Sequence, residues 1–105
     1  MTRVVVNSGA CGFTSVIRAK RGPERTVEIT VESGCEMVRK MAPEIARLGR
    51  HDALAGILQN PVFIAAGRHL KHAACPVPAA VLKALEVEAG LNVKKDATIT
   101  FEKDG

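Results

Sequence analysis

Cys11, Cys35 and Cys75 each fall in a break between apolar segments, in the contexts Ser-Gly-Ala-Cys-Gly-Phe, Glu-Ser-Gly-Cys-Glu-Met and Ala-Ala-Cys-Pro-Val-Pro. The first two share a Ser-Gly lead-in, so both are expected at comparable ends of a sheet. Deprotonated cysteine is at once a nucleophile and a soft metal ligand. If the three converge, His72 is the expected fourth ligand, with His69 the other candidate. A tetrahedral Cys₃His set suits zinc, and three or four thiolates suit an iron–sulfur cluster. No Cys-x₂-Cys pair, the usual strong mark of such a site, is present. The competing expectation is that the cysteines are small, inert hydrophobes.

Cys75 has a second possible chemistry. Pro76 and Pro78 follow it, and proline is tolerated in a first helical turn because the N–H it lacks has no partner there. Cys75 is therefore expected at a helix start, where backbone N–H groups and the helix dipole favour a thiolate. His69 and His72 share a face only if helical, and a histidine near a helix end is commonly a surface residue or a partner of the dipole. His51 has no partner pattern. Glu86 and Glu88 lie two apart and do not face each other on a helix. There is no phosphate-binding glycine loop, Ser-His-Asp signature or HExxH motif.

The elements that must position these residues follow from periodicity. Residues 3–7, 13–20 and 25–32 are expected strands. The last is the cleanest, with Val27, Ile29 and Val31 alternating with Thr26, Glu28, Thr30 and Glu32. Arg21-Gly22-Pro23-Glu24 is turn chemistry, which makes strands 13–20 and 25–32 an antiparallel hairpin. Met37, Val38, Met41, Ile45 and Leu48 have helical spacing, with a kink or split expected at Pro43 and a stop at Gly49. Asp52 is read as the cap of a short helix over 53–58. Asn60-Pro61 breaks that segment, and another short one runs over 62–66. The helix after Cys75 should stop at Gly90. Ala97, Ile99 and Phe101, alternating with Thr98, Thr100 and Glu102, form a second clean strand pattern that should return to the sheet. The order β-β-β-α-α-α-β implies a single α+β domain over 1–105 in two layers. About four antiparallel or mixed strands would carry three or four helices on one face.

The composition narrows the classes. A chain of 105 residues holds one modest core. It carries 15 basic and 11 acidic residues, a formal charge of +4, yet no basic run exceeds two residues. The surplus reads as a solvated surface. With three Phe and no Tyr or Trp, there is no stacking platform for single-stranded nucleic acid, and nucleic acid is not an expected partner. No secretory leader is visible and no stretch approaches the ~20 apolar residues of a membrane span. A cytoplasmic protein with no membrane partner is expected. In that compartment three cysteines do not suggest a disulfide framework.

The segment Cys75-Pro76-Val77-Pro78, with Leu82-Lys83, Ala89-Gly90-Leu91, Val93 and Asp96, resembles the opening of the TusA/SirA-like sulfur carriers. The resemblance implies a Cys75 that carries a persulfide at the start of a helix. Here that motif lies late in the chain instead of after a first strand. The whole chain is also similar to a small group of uncharacterised proteins sharing Ser8-Gly9-x-Cys11-Gly12-Phe13, Ser33-x-Cys35-Glu36 and His72-x-x-Cys75-Pro76-Val77-Pro78.

The leading expectation is thus a small protein that binds a metal ion, zinc or an iron–sulfur cluster through Cys11, Cys35, Cys75 and His72. The alternatives are a sulfur-transfer protein with Cys75 as nucleophile and an interaction module with inert cysteines and an unidentified protein partner.

Overall fold

In the computed structural model, which describes residues 1–103, three consecutive antiparallel strands come first: β1 (Thr2–Asn7), β2 (Thr14–Arg21) and β3 (Thr26–Ser33). They are followed by α1 (Glu36–Met41), β4 (Arg47–Gly49), α2 (Pro61–His69) and α3 (Val77–Glu88). The sheet is a simple meander in the order β1-β2-β3-β4, every pair antiparallel. The α+β expectation holds, with three α-helices and a four-stranded sheet.

Alternation sorts the two faces. Thr2 and Val6 of β1, Ser15, Ile17 and Ala19 of β2, Val27 and Ile29 of β3 and Leu48 of β4 are buried on the helix-covered face. Arg3, Val5, Lys20, Glu28, Thr30 and Glu32 point to the open face. Successive strand side chains must point to opposite faces, so a half-buried sheet needs this pattern. Val38 and Met41 of α1, Val62 and Ala65 of α2, and Val77, Val81, Ala84 and Leu85 of α3 close the core against it.

Three sequence expectations are corrected. The helical pattern from Met37 to Leu48 splits at Pro43, as expected, but only its first piece is an α-helix, which stops at Met41. Ala42–Ile45, containing Pro43, is a single 3₁₀ turn, and Leu48 lies on β4 opposite Val27. Helical and extended placements both bury Leu48 once, so periodicity over so short a run did not separate them. Residues 53–58 form no helix. Asp52 sits within a 3₁₀ turn (Arg50–Leu54), and its carboxylate accepts the Gly49 N–H at 2.7 Å. Residues 97–102 form no strand: Ile99 is 90% and Phe101 103% exposed. The fourth strand is β4, and the order is β-β-β-α-β-α-α.

Two turns show how the chain ends its elements. At the end of α3, Leu91 N–H donates to Glu86 O (2.8 Å) and Gly90 N–H to Val87 O (3.1 Å). With Gly90 at φ 75°, this is the left-handed glycine stop expected from the sequence. In the β2–β3 hairpin, Thr26 N–H donates to Pro23 O at 3.1 Å across Glu24 and Arg25, both at positive φ (54° and 61°). Two left-handed central residues match the twist of the strands they join, but Asn-Gly normally fills them.

Candidate functional site

The fold brings the three cysteines toward one end of the sheet. Asn7 pairs with Thr14 and Ser15 with Ser33, so the β1–β2 loop and the exit of β3 lie together. Cys11 is in that loop, exposed, on a 3₁₀ turn over Gly9–Cys11. Cys35 is the N-cap residue of α1. Its amide donates to Ser33 Oγ (3.1 Å), and that serine in turn accepts from Ser15 Oγ (2.9 Å). The Phe13 ring lies so close over Gly34 that a Cβ there would stand 2.9 Å from it. Helix α3 runs the opposite way. Its Glu88 meets Thr2 and Arg21 at the far end of the sheet, which directs Cys75 and His72 back toward Cys11 and Cys35.

Cys35 and Cys75 are half-buried and pack against the same apolar core, and all three cysteines are free. Sharing an end is not the same as forming a ligand set. Among the described residues, no group of three or more His, Cys, Asp or Glu is arranged to hold a metal ion. His72 is exposed; its carbonyl, not its ring, meets Cys75, accepting the Cys75 N–H at 3.2 Å. Pro76 is the N-cap of α3 and Pro78 lies in its first turn, so two of the N–H groups that would face a Cys75 thiolate are missing.

His69, the other candidate ligand, is the last residue of α2 and is engaged elsewhere. Its Nε2 meets the carboxylate of Glu44, which also receives Arg68 Nη1 at 2.5 Å. The His69 contact and the Arg68 hydrogen bond outweigh partial desolvation and hold the Glu44 carboxyl below its ordinary pKa. The cluster ties the 3₁₀ turn after α1 to the end of α2. A carboxylate with both partners at a helix C-terminus is a packing device, since the Arg68 guanidinium also complements the helix dipole.

The basic surplus resolves in the same way at the opposite end. Arg21, Arg25 and Arg50 line a cleft of about 420 Å³. Arg21 Nε donates to Glu88 O at 2.7 Å and Arg50 Nε to Ala89 O at 3.2 Å. These guanidiniums satisfy carbonyls left open at the end of α3.

An apolar surface that the sequence reading missed lies on the chain between β4 and α2. Leu54, Ile57 and Leu58 are 75%, 71% and 87% exposed. Of the three, Ile57 lines a groove of about 240 Å³, together with Ala53, Ala55, Asn60 and Phe63 and with Ala79, Leu82, Lys83 and Glu86 of α3. Asn60 holds this loop in place. Its Oδ1 accepts Val62 N–H (3.0 Å), capping α2, while its Nδ2 donates to Asp52 O (2.9 Å) and Ala55 O (3.2 Å). The side chain is almost wholly buried. Asn followed by Pro61 at the first helical position was the available signal, being a cap and not merely a break.

No helix of the described residues is long and apolar enough to cross a membrane. The model of a protein family described as a family of unknown function (DUF6951) matches residues 2–101. No curated protein matches the chain, and no solved structure does.

Proposed function

The chain belongs to the family of unknown function DUF6951, and we propose that it is a protein-interaction module whose docking surface is the 50–59 loop with the groove between α2 and α3. The observation that carries this reading is the exposure of Leu54, Ile57 and Leu58 together, on one loop braced from beneath by Asn60. Single exposed aliphatics are ordinary, whereas three large ones on one short loop, with Ile57 lining an apolar groove, mark an interaction surface. At about 240 Å³, the groove is below the usual ~300–1,000 Å³ of a small-molecule site. It suits one or two apolar side chains of a partner protein. Lys83 and Glu86 at the rim offer polar contacts around that apolar centre. A cytoplasmic location fits three unpaired cysteines.

A photo-crosslinking residue placed at Leu58 tests the reading in cells, with one at Lys20 on the open sheet face as control. The expected outcome is a discrete covalent adduct from position 58, absent from position 20 and lost when Leu54→Glu is added. Equal or absent labelling at both positions would overturn the proposal.

A second reading is favoured by the shared end of Cys11, Cys35, Cys75 and His72: a thiol site that takes zinc or an iron–sulfur cluster, or one in which Cys75 carries sulfur. Ligation would require these side chains to rearrange into a ligand set. Metal analysis and the absorption spectrum of anaerobically purified protein test the first form, and the pH dependence of Cys75 alkylation tests the second. Metal-free, colourless protein whose Cys75 alkylates no faster than a model thiol removes both.

A further inference from the structure

Strand β1 has a neighbour on one side only, and its six residues form the long free edge of the sheet. The chain also carries a strand-patterned segment with no sheet to join: Ala97, Ile99 and Phe101 alternate with Thr98, Thr100 and Glu102, and every residue from 92 to 103 is exposed. We propose that residues 97–102 of one molecule add antiparallel to the β1 edge of a second copy of this chain, and that reciprocal exchange closes a two-fold dimer.

The register follows from charge and face. Arg3 stands directly opposite Arg18 across the β1–β2 pair, and like charges in that relation repel. Arg18 is relieved by its ion pair with Glu32. Arg3 has no ion pair among the described residues. Placing Glu102 opposite Arg3 supplies one. The same antiparallel register sets Phe101 against Val4 and Ile99 against Val6 on the helix-covered face. Thr100 then meets Val5, and Thr98 meets Asn7, on the wet face. A slip of one residue would turn Ile99 and Phe101 outward, so only this parity buries them.

The occupant is a second copy because of where α3 ends. Its Glu88 carboxylate receives the Thr2 hydroxyl at 2.8 Å, so the chain leaves α3 beside the start of β1. Folding directly back onto its own β1 from there runs parallel to it, and an antiparallel return would use the whole reach of residues 92–96, about 17 Å, to pass along the six-residue strand with nothing left for the turn. A parallel strand that keeps Ile99 and Phe101 beside Val4 and Val6 sets Thr98, not Glu102, against Arg3. Parallel pairing is also slightly weaker per residue. The other edge, β4, has three residues and cannot match a five-pair register. Adding a strand to β1 also covers its six-residue edge and gives an exposed apolar segment a place to pair, both otherwise aggregation hazards, with residues 97–102 as the new edge.

Sedimentation velocity over a concentration series, with the full chain, tests this. Wild-type protein is expected to form a dimer, and Phe101→Asp to leave a monomer of unchanged fold. Glu102→Lys and Arg3→Glu are each expected to weaken dimerisation about 5-fold or more, since each pair occurs twice in the dimer. The double exchange Arg3→Glu/Glu102→Lys should restore it to within about 2-fold. A chain that stays monomeric throughout, a dimer indifferent to these changes, or a monomer whose 97–102 amides are protected from hydrogen exchange would each overturn the proposal.

Discussion

Arg21 and Glu88 clasp each other twice: the Arg21 guanidinium donates to the Glu88 main-chain carbonyl at 2.7 Å, and the Arg21 amide donates to the Glu88 carboxylate at 3.1 Å. The pair pins the end of α3 to the end of β2. Thr2 adds its hydroxyl to the same carboxylate, so one glutamate joins two strands and a helix. That clasp sets the direction of α3, and with it the end of the fold to which Cys75 is sent.

The clasp predicts an acid limb in stability. Burial alone would raise the Glu88 pKa, but the hydrogen bonds from Thr2 and Arg21, with the charges of the N-terminus and Arg21, outweigh it and hold the carboxyl below its ordinary value. A depressed folded-state pKa contributes stability that is complete above the unfolded value of about 4.5 and is lost as pH falls through the folded one. Glu88→Gln should cost about 1–2 kcal/mol at neutral pH, with the gap to wild type closing below about pH 4.5. Urea unfolding across pH measures it, and a gap independent of pH would contradict the assignment.

Asn60 predicts a coupled loss of stability and docking. Asn60→Ala removes the cap of α2 and leaves two carbonyls without their donor, a cost of about 2–3 kcal/mol. Asn60→Asp keeps the cap acceptor but aims a carboxylate at the Asp52 and Ala55 carbonyls, and should cost at least as much. Hydrogen exchange should show the loosening concentrated over residues 50–62.

The hairpin turn offers a stabilising change. Glu24 and Arg25 both occupy the left-handed region, at about 1–2 kcal/mol per residue for ordinary side chains. Glu24→Asn with Arg25→Gly should raise stability by about 1–2 kcal/mol in total, after the entropy that glycine adds to the unfolded chain. A lower Tm for the double variant would argue against this turn.

Thiol accessibility predicts a labelling order. In native protein Cys11 should alkylate fastest, with Cys35 and Cys75 protected by their packing against the core. Mass spectrometry after a brief iodoacetamide pulse reads the order directly. Cys75 labelling first would instead favour its role as a nucleophile.

The β2–β3 hairpin, the strand at 3–7, the helix after Cys75 and its Gly90 stop were all legible in the sequence. In each case one local signal of period or punctuation was strong enough. The run from Met37 to Leu48 was not, because Pro43 cut it into pieces too short for their period to separate helix from strand. The placement of all three cysteines at breaks between elements was also legible, as was Cys35 at a helix start. Their failure to form a ligand set was not, since distances between loops depend on how α3 crosses the sheet.

The sequence by itself determined which face β3 buries, where the principal turns fall and that Ala97–Glu102 has the alternation of a strand. Only the tertiary structure decided which segments pair. Alternation says what side of a sheet a residue will face, but a strand forms only when another supplies its hydrogen bonds. Leu48 found that partner in β3, within its own chain. Ile99 and Phe101 did not, and the free edge of β1 is where the same physics would take them.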